Sequence, residues 1–260
     1  MLPADIKESL ELVAVGAART IPIAWSIPAF GGPTLPGQVR LALGVGLSLF
    51  CLPALAGNPP AGDAVVWVVL ALREVIVGVV MGFVCACTFR AAEAAGQFTD
   101  VLRGANMAEA LSPTGRGRSS PLGALLLLLA IVVFFEIGGT GHVASALVKS
   151  YEAIPLGGHG QLAGRPHAMA MVAIVASAKL IESAIGLCAP VIVALLLADL
   201  VLGILGRAVP QIPLYFVGMP LKALLGVGAV LLALAGLDVS LQDSFRGFLD
   251  LLGAAFRFRR

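Results

Sequence analysis

"DAVVWVVLALREVIVGVVMGFVCACTFRAAEAAGQFTDVLRGANMAEAL", residues 63 to 111, contains no proline and is mostly Val, Ala, Leu and Phe. At about 1.5 Å per residue, a helix of that length outruns the roughly 30 Å hydrocarbon core of a bilayer. The segment is therefore a single helix much longer than a span, or a bent pair. Either reading makes the chain helical and sets it in or beside a membrane.

Composition agrees. Of 260 residues, 59% are hydrophobic and only 12% charged, with a mean hydropathy of +0.99. Soluble domains carry about 25% charged residues, so this is an integral membrane protein or part of a membrane assembly. No alternating strand pattern with barrel turns is present, and the predicted fold class is all-α: polytopic, membrane-associated helical hairpins. A net charge of +2 leaves no nucleic-acid footprint. The N-terminus is acidic (Asp5, Glu8, Glu11) and lacks a basic n-region, which predicts no cleaved signal peptide.

Breakers divide the rest. Residues 5 to 27 read as a helix that starts amphipathic and turns apolar. "IPAFGGPTLPG" (27–37) breaks it, residues 38 to 56 are apolar after Arg40, and "GNPPAG" (57–62) is the next break. Beyond residue 111 comes "LSPTGRGRSSP", then an apolar run from Leu122 to Phe135. "GGTG" (138–141) and "PLGGHGQLAGRP" (155–166) are further breaks. Helices are predicted at about 167–188, 190–208 and 214–237, with "VPQIP" (209–213) between the last two. Leu241, Phe245, Phe248, Leu249, Leu252 and Phe256 fall at helical spacing opposite Asp243, Arg246 and Asp250, as in an interfacial or docking helix. The terminal "RFRR" favours a cytoplasmic C-terminus. The chain thus reads as one domain: N-terminal helices 1–111, a loop 112–120, C-terminal helices 121–237 and an amphipathic basic tail 238–260.

The interior is unusual for a protein bathed in lipid. Uncharged runs such as Val75–Phe89, Ser183–Ala198 and Ala223–Leu237 fall short of a comfortable span. Between the runs sit Arg73, Glu74, Arg90, Glu93, Asp100, Arg103, Lys179, Glu182, Asp199, Arg207 and Lys222. A charge at the bilayer centre costs about 2.5 to 3.5 kcal/mol even on the lenient scale. Arg90 with Glu93, Asp100 with Arg103, and Lys179 with Glu182 are spaced i,i+3 and can share a helix face. These helices are expected to face protein, water or the membrane edge, or the pairs mark helix ends at the interface. Asp199, alone in its apolar run, is either an ion site or a structural partner for Arg207 or a neighbouring subunit's basic residue, and the structural role is preferred. "RLALGVGL" (40–47) and "KALLGVGA" (222–229) echo each other, as a duplicated hairpin or by chance.

Enzyme chemistry has little support. No HExxH, GxSxG, Walker or strand-helix GxGxxG motif occurs, so neither catalytic residues nor a cofactor is expected. His142, His159 and His167 are not spaced as metal ligands. Cys51, Cys85, Cys87 and Cys188 read as small core residues. The competing class is a secondary transporter, with Asp199 and the Arg90/Glu93 region as its site; an intramembrane enzyme is weaker.

Five stretches in order carry a resemblance. They are "RTIPIAWSIPAFGGPTLPGQVRLALGVGLSLFCLP" (19–53), "REVIVGVVMGF" (73–83), "AAGQFTDVLRGANMAEALSPTGRGRSSPLGALLLLLAIVVFFEIGGTGH" (94–142), "LVKSYEAIPLG" (147–157) and "APVIVALLLADLVLGILGRAVPQIPLYFVGMPLKALLG" (189–226). The series resembles the export-gate membrane protein of type III secretion, called SctT in injectisomes and FliR in flagella. The Arg-Gly-rich loop, with Ser112 where flagellar members commonly have an aspartate, looks more like the injectisome form.

The resemblance implies a bacterial inner-membrane subunit of a helical hetero-oligomeric pore. Two other membrane proteins would join it, about five copies of one and about four of a smaller one, stacked by contacts that ascend rather than close. An export-switch membrane protein is a further implied partner. Unfolded substrate proteins would pass through, driven by a separate ATPase and the proton motive force. It also implies that Ser112, Pro113, Thr114, Gly115, Arg116, Gly117, Arg118, Ser119, Ser120 and Pro121 form a plug loop beside a methionine-rich gasket. The residues suit that task. Gly115 and Gly117 keep the backbone displaceable, the two prolines stop the adjoining helices, and Arg116 and Arg118 keep the loop wet. An ordinary basic cytoplasmic loop is the alternative.

Overall fold

The computed structural model of the chain describes residues 4–31, 35–55, 64–104, 120–156, 166–209, 211 and 214–257. Among these the fold is all-α, without a strand. The helices are α1 (Ala4–Ser26), a 3-10 turn (Pro28–Phe30), α2 (Gly37–Phe50), α3 (Leu52–Leu55), α4 (Ala64–Leu102), α5 (Pro121–Glu136), α6 (Gly139–Ala153), α7 (Pro166–Ala208) and α8 (Leu214–Arg257).

Between Ala64 and Leu102 the proline-free segment is one helix. α4 has 39 residues, about 58 Å at the standard rise, so the bent pair is excluded. It stops sooner than residue 111. Gly104, at φ +82°, donates its N–H to the Val101 carbonyl at 3.1 Å, a left-handed terminus that glycine allows without steric cost.

The break expected at Pro190 is absent, and near the end expected at Leu237 the last helix bends by 63° between Gly218–Leu234 and Gly236–Gly253 instead of stopping. α7 runs through Pro190, and α8 runs through Pro220 and on to Arg257. One proline deletes a single N–H, and packing around apolar helices can re-satisfy the freed carbonyl. The amphipathic stretch from residue 241 is therefore the distal half of α8. Its apolar side chains Leu241, Phe245, Phe248 and Leu252 are buried within the chain itself. The Phe245 ring lies 5.6 Å from that of Phe134, so the docking face is already docked. Val65–Leu102 and His167–Ala208 are long and apolar enough to cross a membrane, and two broken helix pairs would raise the number of spans to four.

The chain forms two compact units. The first comprises Met1–Thr88, Phe134–Lys179 and Phe245–Arg260. Within it small residues let backbones meet, as they do between membrane helices. Gly78 of α4 abuts the backbone of Arg19, and a Cβ on Gly82 would lie 3.0 Å from the Pro22 carbonyl. Gly44 of α2 is pressed against Ile21, where Thr20 donates to the Gly44 carbonyl at 2.7 Å. The second unit comprises Phe89–Val133 and Leu180–Ser244. There Gly96 of α4 meets Gly123 and the Leu122 carbonyl of α5. α7 and α8 run antiparallel: Gly218 approaches Leu202, Lys222 meets Asp199, and Gly226 approaches Leu195.

Candidate functional site

The first unit is organised around a buried guanidinium. Arg19 and Glu74 have fully buried side chains and are bridged Nε to Oε2 at 2.5 Å. Arg19 Nη1 donates to Ser150 Oγ at 2.9 Å, and Nη2 donates to the Ile154 carbonyl at 3.0 Å. Its guanidinium lies 4.0 Å from the centre of the Tyr151 ring. Tyr151 in turn donates its hydroxyl to the Gly16 carbonyl at 3.0 Å. Arg73 donates to the Pro155 carbonyl at 2.8 Å and lies 3.7 Å from the second Glu74 oxygen. Two arginines of α1 and α4 thus hold the segment that leaves α6, with Glu74 as their shared counter-ion. Burial pushes the Cys51 thiol of this unit up, against the opposing pull of Arg19, which makes it a poor nucleophile.

In the second unit Asp100 joins the end of α4 to the start of α5. Arg103 donates to Asp100 Oδ1 at 2.6 Å. Oδ2 accepts from the Ser120 hydroxyl at 2.5 Å and from the Leu122 N–H at 3.0 Å. Ser120 Oγ accepts from the Gly123 N–H at 3.0 Å. Ser120 therefore caps α5, and Asp100 supports the cap from across the hairpin. The loop expectation falls mostly outside the described residues: Ser112 to Ser119 lie there, and only Ser120 and Pro121 are described.

The other charges separate by partner. Arg90 and Glu93 form the expected i,i+3 pair at 2.9 Å, with Arg90 60% exposed. Lys179 does not pair with Glu182; its ammonium donates to the Gly247 carbonyl at 3.4 Å. Asp199 pairs with Lys222 rather than Arg207. Arg207 is eight positions along the same helix, about 12 Å of rise, whereas the antiparallel turn sets Lys222 directly across. The Arg207 side chain is exposed. Arg40 lies over the Trp25 ring at 5.3 Å. The 40–47 and 222–229 echo has one structural counterpart: Gly44 and Gly226, each four residues after the cation, both sit where another helix approaches.

These arrangements hold helices together, and none resembles a reactive centre. Among the described residues no group of His, Cys, Asp and Glu is arranged to hold a metal ion. The family model for bacterial export proteins, family 1, matches residues 10–248. The chain belongs to that family. A Salmonella typhimurium relative of the export family, secretion system apparatus protein SsaT, is 31% identical over 226 residues, covering 85% of this chain and 86% of its own. Yop proteins translocation protein T of Yersinia pestis is 32% identical over 192 residues, 73% of each chain. Flagellar biosynthetic protein FliR of Caulobacter vibrioides is 25% identical over 248 residues, covering 92% of this chain and 95% of the relative.

Arg19, Ser150 and Tyr151 were not predicted as contact residues. Arg19 and Glu74 are 55 positions apart, so no local spacing links them. The available signal was an arginine embedded in an apolar helix one turn before Pro22.

Proposed function

We propose that this export-family chain is a non-enzymatic subunit of the inner-membrane export gate of a type III protein secretion system. In this reading unfolded substrate proteins pass through a pore that the chain helps to form. The observation that carries it, beside the family match, is the ion pairs on long apolar helices. Asp199 and Lys222 remain 43% and 23% exposed on an otherwise apolar hairpin, where lipid would penalise them. A subunit surrounded by other proteins is free of that penalty. The transporter reading loses its proposed site, because Asp199 is held by Lys222 and Arg90 by Glu93.

Its partners would be two further export-gate membrane proteins, about five copies of one and about four of a smaller one, in an ascending arrangement, with an export-switch protein. The C-terminus would face the cytoplasm. Identities of 31–32% to SsaT and translocation protein T, against 25% to FliR, favour an injectisome over a flagellum. Residues 112 to 121 would plug the resting pore, and the Asp100–Ser120 hydrogen bond would fix the loop's C-terminal base.

Co-expression tests the assignment. The tagged chain alone should be recovered poorly, and with the membrane proteins encoded beside it should purify as a complex of fixed stoichiometry. A stable lone chain that binds a small solute would overturn the reading.

A further inference from the structure

Arg19 interrupts the apolar part of α1. It stands seven residues before Ser26, the last of that helix, about 10 Å of rise and too deep for its head to reach water at the helix end. Among the described residues α4 is long and apolar enough to cross a membrane, and α1 is not. The nearest carboxylate on α1, Glu11, is eight positions away, about 12 Å along the axis.

Every acceptor that Arg19 finds in the folded chain comes later in the sequence. Glu74 follows by 55 positions, Ser150 by 131 and the Ile154 carbonyl by 135. During synthesis α1 therefore emerges with a cation it cannot neutralise, and Glu74 is the first partner to arrive. A lone arginine in an apolar helix is penalised in hydrocarbon. The finished pair has no solvent exposure on either side chain.

α4 offers more than the charge. Glu74, Gly78 and Gly82 recur every four residues and share one face of that helix. Gly78 abuts the Arg19 backbone, and a Cβ on Gly82 would lie 3.0 Å from the Pro22 carbonyl and 2.9 Å from the Ser26 hydroxyl. The contacts advance in the same direction on both helices, so α1 lies parallel to this face over about two turns. Glycines let the two backbones approach, and that approach carries the guanidinium to the carboxylate.

We infer that the Glu74–Gly78–Gly82 face of α4 is the insertion partner of α1. α1 does not enter the membrane by itself; it integrates as a pair with α4, once Glu74 takes the charge of Arg19. Ser150 and Ile154 complete the site when α6 arrives. The dependence is built into one chain and needs no partner subunit.

The test uses the full chain, synthesised cell-free into bacterial inner-membrane vesicles, with Val15→Cys as reporter. Val15 lies one turn before Arg19 and is buried, and a thiol held in hydrocarbon or packed protein escapes a membrane-impermeant maleimide. The vesicles are opened to both faces, and labelling is read at position 15 by peptide mass, so the native cysteines do not contribute. The chain with Arg19 and Glu74 intact should label weakly. Glu74→Gln should raise labelling about tenfold or more, in line with the penalty of an unpaired arginine in hydrocarbon. Arg19→Leu with Glu74→Gln should return labelling to near the level of the intact chain, because no charge is left to carry in. Arg73 loses the same carboxylate in both variants, so the comparison isolates Arg19. A pair that serves packing alone forecasts the reverse: the double variant labels as strongly as the single one. Weak labelling of Glu74→Gln, strong labelling of the intact chain, or a double variant that labels like Glu74→Gln each overturns the inference. Synthesis into isolated vesicles keeps a poorly folded variant measurable, since labelling is counted per chain made.

Discussion

All three guanidinium nitrogens of Arg19 are engaged, on Glu74, Ser150 and the Ile154 carbonyl, and the group is closed off from solvent. Removing one member of such a buried pair strands the other, a loss of about 3 to 5 kcal/mol. Arg19→Ala is therefore expected to lower the thermal midpoint of the purified complex sharply. Arg19→Lys should fall between wild type and alanine, because an ammonium keeps the charge but cannot reach three acceptors in one plane. A lysine variant as stable as wild type would show that charge alone matters there. The contrast with Asp100–Arg103 explains what was readable in advance. That pair and Arg90–Glu93 lie three positions apart, so helix geometry reveals them. The partners of Arg19, and Lys222 as the partner of Asp199, come from other helices, and only the fold discloses them.

The glycines of α2 separate packing from propensity at the scale of the element. A Cβ on Gly44 would lie 2.9 Å from the Ile21 Cα, whereas one on Gly46 would meet nothing within 4 Å. Gly44→Ala is expected to push α2 off α1 and disturb the Thr20 hydrogen bond, a cost of about 1 to 3 kcal/mol typical of overpacking. Gly46→Ala should cost nothing, since alanine is the better helix former. Thermal unfolding of the two variants in the same complex checks the pair; equal losses would mean that α2 does not pack as tightly as Gly44 implies. Helix existence was legible because apolar runs bounded by Gly and Pro are strong signals. Boundaries at Pro190 and beyond Leu237 were not, because a proline signals a break locally while its surroundings decide whether the helix continues. The close approaches at Gly78, Gly82 and Gly96 were equally hidden, since a glycine in a helix does not announce which backbone it meets.

For the whole molecule, the question is whether the segment between α4 and α5 restrains a pore or is merely a basic loop. The described structure bears on this through its base. Asp100 binds Arg103 on one side of the segment and Ser120 and Leu122 on the other. The helices on both sides are therefore tied together independently of residues 112 to 119. A deletion of 114 to 119 is then expected to leave α4, α5 and the assembled complex intact. If the loop plugs the pore, it holds by exposed polar contacts, each contributing about 0 to 1 kcal/mol, which suits a closure that must reverse. The same deletion, or Arg116→Gly with Arg118→Gly, should then raise leakage of ions or small solutes through the resting gate. A basic loop that only sets topology forecasts the opposite: charge removal disturbs insertion, and the resting membrane stays tight. Conductance and complex yield measured on one deletion variant distinguish the two. An assembled complex with unchanged leakage would remove Arg116 and Arg118 from the gate and leave the export role resting on the helices alone.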